Sequence, residues 1–312
     1  MPTSEFSFTQ NREFFTEQAP KYSISGGKIK ALKDFGTSHT IHKDDEGGKI
    51  SSESNLSQLG HCWVYQDAQV TGSASIRDAA QVTGKAQVSG NSIVADNAVV
   101  ADNATIKGNS FIYESSAVSG NSKIQDSKIH GSSNILDDAT VDNSELINVL
   151  TIGSTKIKDS YIKDVTLKNC VLKDAWIEDQ RDIQRVGAIA GKEFIVYYKG
   201  PGEPIGCSYT QIVDKAGSKE VSFGLAQADS IDELISDFDK EKTSQQHGKT
   251  HQKNRYNEYK KMIEAAITKL LSWRTDNQYQ PRTVDKYFGF PDNYVKGHDL
   301  SLMFPRPDPK SY

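Results

Sequence analysis

The sequence predicts a mainly β chain: a single-stranded β-helix of hexapeptide repeats carrying a small α+β module at its C-terminal end. Three observations carry this. Every sixth residue from Val64 to Ile124 is Val or Ile, eleven in succession. Two residues before each lies a small residue, from Cys62 and Ala68 through to Ser122. Two residues after most of them comes Gly or Asp, as in VTGKAQVSGN. Period six fits neither an α-helix nor a hairpin ladder. It fits a coil that turns a corner every six residues, with one branched side chain per edge pointing inward.

Residues 1–60 read as an N-terminal arm and cap. Within them SISGGKIKALKDF alternates as one strand, and GGKISSESNLSQLGHCWVY leads into the first coil. The β-helix spans 61–179. After Ile124 the count drops one residue to Ile129, then resumes at six through Ile135, Val141 and Ile147. From Ile147 it becomes five, through Ile152, Ile157, Ile162, Leu167, Leu172 and Ile177. A five-residue edge implies a tighter corner, so the cross-section should change about midway. Each buried branched side chain contributes about 1.5–3 kcal/mol before entropy is subtracted. The open coil ends need caps, and the N-terminal segment and the residues after Asp179 are placed to supply them.

Residues 180–274 form the α+β module. Three strands are expected, in GKEFIVYYKG, GCSYTQIVD and KEVSFGL. A helix follows, with Ser230 and Glu233 as capping box. After a polar linker comes a longer helix with Tyr256, Tyr259, Ile263, Ala266, Leu270 and Trp273 at helical spacing. Residues 275–312 are a tail rich in Pro and aromatics, read as extended and docking on its own body or a partner.

Composition bounds the function classes. A net charge of −4 and a sequence pI of about 6.0 offer no general attraction to nucleic acid or membranes. The opening residues lack a basic segment and an apolar core, and no stretch approaches the ~18 apolar residues of a membrane span. A soluble, unprocessed chain is the expectation, with no membrane partner. Of three cysteines, Cys62 and Cys170 occupy small-residue slots and read as packing thiols in a reducing compartment.

The segments IKALKDF and GGKISSESNLSQLGHCWVY, with the hexads that follow, resemble a family of hexapeptide-repeat proteins of phages and prophages, to which a bacterial protein catalogued as a hexapeptide-repeat acetyltransferase is related. The resemblance covers about residues 24–274. A pattern of the small domain, H-G-x-N-x-Y-x-x-E-Y, persists with an insertion as His247, Gly248, Asn254, Arg255, Tyr256, Glu258 and Tyr259. Lys49 stands where an aromatic is usual, and Phe223-Gly224-Leu225 replaces a Cys-rich strand. The resemblance implies a β-helix, left-handed, and a phage-like setting, without a settled activity.

Acyl transfer from acetyl-CoA is the first enzymatic alternative. Such enzymes use a His as general base, set in a cleft shaped by a loop thrown out between hexads. No loop interrupts the count from Val64 to Ile124; His130 lies within the coils and His61 at their doorway. Without a positioned partner, His130 reads as an outward residue beside a corner. His247 and His251 stand four apart, but two ligands beside a helix-breaking Gly do not make a zinc site. No metal and no cofactor are expected outside the acetyl-CoA alternative. Residues 240–286 hold eleven basic against five acidic residues, a net of +6. Lys253, Arg255, Lys260 and Lys261 are therefore the candidate contacts for an anion or nucleic acid, against the plainer reading of a solvated helix back.

If three hexads make one turn, residues 18 apart stack. Ile93 then lies under Phe111 and Ala95 under Tyr113, with Val99 on the next face, while the third face is polar. An apolar outward face implies contact: a homotrimer seam, or a dock for the C-terminal residues. The expected function is a non-enzymatic scaffold that binds a protein partner, itself or a host or virion protein, in the host cytoplasm or the virion.

Overall fold

A computed structural model of the chain describes residues 19–36, 40–65, 67–189, 192–199, 205–211, 225–228, 260–270 and 272. The core is a parallel β-solenoid of triangular section. Its first face runs upward from Gln69–Val70 to Val171–Lys173, its second from Ser75–Ile76 to Trp176–Ile177, and its third from Trp63–Val64 to Thr166–Lys168. The inward column is buried as expected, from Val64 through Ile124 and on to Ile177. The small residues before it, including Ala68, Ser92, Ser160, Cys170 and Ala175, are buried too, because they line the inside of each corner. Cys62 and Cys170 are buried thiols that form no disulfide among the described residues.

The stacking interval tapers. Val94 pairs with Ile112 at 18 residues, Ile112 with Ile129 at 17, Leu146 with Ile162 at 16, and Ile162 with Ile177 at 15. This corrects the expected single switch at Ile147. The inward residues there are Leu146 and Thr151, both wholly buried, whereas Ile147 is half-buried and Ile152 is 36% exposed. Ladder pairing, Ile129 with Leu146 and Ile135 with Thr151, decides the register over side-chain branching. The inward Thr151 hydroxyl is satisfied by the Leu136 N–H at 3.0 Å.

Corners explain the taper. The residue two after the inward one takes positive φ, as at Gly84 (66°), Asp96 (54°) and Asp159 (50°). Gly, Asp and Asn tolerate this conformation best. Five-residue edges omit the next residue, which would leave the N–H at the inside of the corner without a ladder partner. One corner solves this with stacked serines. Ser127, Ser144 and Ser160 accept, through Oγ, the N–H of Ser144 (3.1 Å), Ser160 (3.0 Å) and Ala175 (3.0 Å). Each hydroxyl donates in turn to a carbonyl of its own edge, those of Gln125, Asp142 and Lys158.

Both ends of the solenoid are capped. The segment expected as one strand is a hairpin, Tyr22–Ser25 with Lys28–Ala31, because Gly26 and Gly27 both take positive φ (59° and 79°) and reverse the chain. It continues the first sheet through Glu46–Ile50. Lys21 is buried beneath it, donating to the carbonyls of Cys62 (3.1 Å) and Leu59 (3.3 Å) and to Cys62 Sγ (3.3 Å). Asn55, also buried, bridges Gly72 and Ala74 carbonyls to the Ser51 and Ser52 N–H groups. At the other end stands an antiparallel sheet whose described strands are Ile183–Ile189, Lys192–Tyr198, Ile205–Gln211 and Leu225–Ala228; of the expected strand KEVSFGL all but Leu225 lies outside the described residues. The unexpected strand, IQRVGAI, leaves the last coil directly. Tyr197 is buried in the solenoid core, its hydroxyl donating to the Lys173 carbonyl at 3.1 Å. Residues 260–270 are helical, with Ile263 and Leu270 buried. The helix begun at Ser230, Tyr256, Tyr259, Trp273, and the tail lie outside the described residues.

Two outcomes are expected. Ser144→Ala leaves the buried Ser160 N–H without its acceptor, so chemical denaturation should show a loss of about 1–3 kcal/mol, where Ser119→Ala on the outer surface costs under about 0.5 kcal/mol. Gly48→Ala would drive its methyl into the Tyr65 and Ala68 carbonyls. It should lower the unfolding midpoint by the equivalent of about 1–3 kcal/mol, the usual cost of overpacking.

Candidate functional site

The second face gathers the expected site residues that belong together. Ile93, Ala95 and Phe111 form a separate apolar cluster, with Tyr113 packed against it. Their side chains point away from the coil interior, yet Ile93 is only 1% exposed and Phe111 3%. The outward Ile152 on the neighbouring face is 36% exposed, so an uncovered position on this solenoid leaves a branched side chain open. Val99 belongs to the third face, pairing with Gln81 and Ala117, and lies outside this cluster.

His130 stands one coil above Tyr113. The shortened interval of 17 that sets Ile112 against Ile129 also stacks the two rings, 4.7 Å apart and 8° from parallel. The same interval places Lys128 beside Glu145, and with it the Glu145 carboxylate against the imidazole. His130 Nε2 lies 3.1 Å from Glu145 Oε1, and Nδ1 lies 3.9 Å from Glu114 Oε2. The imidazole is thus held on one face by a ring and at Nε2 by the Glu145 carboxylate, while the Glu114 oxygen near Nδ1 accepts from the Gly131 N–H at 2.6 Å; the side chain is 15% exposed. The hydrogen bond from His130 holds the Glu145 carboxyl below the usual carboxylate range, against the opposing effect of burial. Burial pushes the Tyr113 phenol up, and the carboxylates of Glu145, Glu114 and Asp96 add to it.

Glu114 and Glu145 were not among the expected site residues. The signal for them was present: once the count drops by one at Ile129, residues 17 apart become neighbours. Higher on the same face Tyr161 and Trp176 stack at 4.7 Å, through their pairing on successive coils. His61 is remote from all of these. It lies on the exposed N-terminal rim, its Nδ1 accepting from the Gly36 N–H at 3.1 Å. Lys260 and Lys261 are helical, the first described residues of the 260–270 segment, while Lys253, Arg255, His247 and His251 lie outside the described residues. Among the described residues no group of three or more His, Cys, Asp or Glu could hold a metal ion, and no helix is long and apolar enough to cross a membrane.

Because the folded pKa of Glu145 is depressed, its pairing stabilises the coil above the unfolded carboxylate value of about 4.3 and is lost as pH falls through the lower folded value. Glu145→Gln should therefore be less stable than the parent at about pH 6, with the gap narrowing by about pH 3, in urea unfolding at both. Compared with known protein families and with curated proteins, the chain matches none.

Proposed function

We propose that the protein is a non-enzymatic binding scaffold: a rigid solenoid whose second face is a docking surface and whose C-terminal module and tail engage a protein partner. The single observation that carries this is the burial of Ile93, Ala95 and Phe111 on the outside of the coil. A solenoid keeps its outer surface wet unless a face is covered, and here the cover is complete in the single chain, so the contact on this face is one the chain makes with itself. The uninterrupted coil supports the same reading, since the inward residues from Val64 to Ile177 are never more than six apart and no loop shapes a cleft. With the resemblance of the opening motif and hexads, a phage or prophage setting follows, the partner being a host or virion protein, or further copies of this chain. In that setting the protein works in the host cytoplasm or the virion.

Acyl transfer from acetyl-CoA is the second reading, favoured by one observation: His130 has a carboxylate partner, Glu145, at 3.1 Å. A general base needs its other nitrogen open to substrate. Here that nitrogen faces Glu114 at 3.9 Å, and Tyr113 covers the ring. The arrangement suits an imidazole that ties the Glu145 carboxylate to the Tyr113 ring across neighbouring coils.

Calorimetry with acetyl-CoA separates the two: absence of heat at millimolar ligand removes the enzyme, and saturable binding abolished by His130→Ala removes the scaffold reading. Phe111→Asp places a charge in the covered cluster. It should increase limited proteolysis or alter the oligomeric mass by light scattering; no change in either would show that the face docks nothing.

A further inference from the structure

Neighbours within a column shield the flanks of an outward side chain and leave its tip open, as at Ile152, and the outward Gln87 and Lys123 on the first face are exposed as well. Ile93 and Phe111 are instead 1% and 3% exposed. The sheet cannot hide those tips by itself, so a segment that leaves the coils returns across the second face.

The foot of that face shows where such a segment starts. Leu56 extends the second face downward by one rung: it bridges Ile76, and the Ser57 N–H donates to the Ile76 carbonyl at 2.9 Å. At that rung the N-terminal segment is fixed. The Lys21 N–H donates to Gln58 Oε1 at 2.8 Å, and the Tyr22 hydroxyl to the Leu56 carbonyl at 2.6 Å. Residues before Lys21 therefore depart from the foot of the covered face. Ile76, Val94 and Ile112 are the next rungs, which sets Phe111 about 14 Å above Leu56 at ~4.8 Å per ladder step. Six extended residues span about 20 Å, enough to bring Phe15 and Phe14 level with the cluster. The C-terminal residues set out from the opposite end, beyond Trp176, which the pairing through Lys128, Glu145 and Tyr161 places further from Phe111 than Leu56 is.

The chemistry of residues 1–18 suits the face. MPTSEFSFTQNREFFTEQ is polar apart from Met1, Pro2, Phe6, Phe8, Phe14 and Phe15. Rings in so polar a segment are stabilised by burial against apolar surface, and ring pairs with Phe111 and Tyr113 add to it. Glu13 and Glu17 flank Phe14-Phe15. Arg77 lies one rung below Ala95 and Lys128 one rung above Phe111, so cations frame the cluster at both ends. We infer that residues 1–18 are a strap folded back over the second face, with Phe14 and Phe15 seated on Ile93, Ala95 and Phe111. This rests on the reading of that face as a docking surface and names what docks there. A partner that uses the same face must first displace the strap.

Hydroxyl-radical footprinting of the full chain, read by mass spectrometry at Phe111, tests this, with Tyr197 in the solenoid core as the measure of an intact coil. Phe111 should be protected in the parent. Phe14→Asp combined with Phe15→Asp should raise its oxidation about fivefold or more, because a carboxylate is expelled from an apolar contact. Phe14→Leu combined with Phe15→Leu keeps an apolar seat and should hold oxidation within about twofold of the parent. Phe288→Asp combined with Phe290→Asp makes the same change in the C-terminal tail and should also leave it within about twofold. The strap is overturned if Phe111 stays protected in the Phe14 and Phe15 aspartate variant, or if the tail variant exposes it. Free oxidation of Phe111 in the parent overturns the docking-face reading and the strap together, whereas the other two results overturn the strap alone.

Discussion

The constraint on which the rest of this structure depends is the parallel register between successive coils. Each edge gives its N–H and C=O groups to the coils above and below, and each inward Val, Ile or Leu rests on its counterpart one turn away. Neither the ladder nor the column stands without the other. A slip of one residue would turn an inward side chain to solvent and an outward one into the core. That penalty recurs on every coil, so the register survives even where local preference opposes it, as at Thr151 inside and Ile152 outside.

The taper follows from the same constraint. Shortening an edge by one residue removes a corner residue and strands a buried N–H. The serine stack at Ser127, Ser144 and Ser160 restores the missing acceptor on one corner. On the outside, Asn and Asp at the positive-φ positions bond to the next coil, as Asn143 does to Asp159 at 2.7 Å and Asn148 to Asp164 at 2.8 Å. The narrowing is gradual because each corner adjusts by itself. The caps obey a related rule. Lys21, Asn55 and Tyr197 are buried polar groups that occupy backbone partners left open where the ladder begins and ends.

Function, on the reading proposed above, depends on what this frame holds outward. Parallel stacking turns separate residues into columns about 4.8 Å apart in the ladder direction. Ile93 and Phe111 become one apolar surface in this way, and Tyr113, His130 and Glu145 become one contact network. The network borders the apolar cluster through Tyr113, which belongs to both. A rigid coil holds such columns at fixed spacing without any loop, which suits recognition better than chemistry that needs a closing cleft.

By itself the sequence determined the solenoid, its three-edged turn, its inward column and the apolar pairing of Ile93 with Phe111. These are legible because a period of six leaves one residue per edge to bury and sets neighbours 18 apart. The hairpin at Gly26-Gly27 and the strand of residues 183–189 were written less clearly, one hidden in an alternating run and the other in a short stretch leaving the last coil. Only the tertiary structure decided that Leu146 and Thr151 face inward, that Glu114 and Glu145 flank His130, and that the Ile93–Phe111 cluster is covered. Those depend on cumulative offsets between coils and on the accessibility of each outward position in the folded chain. A local pattern of side chains carries the first only implicitly and the second not at all.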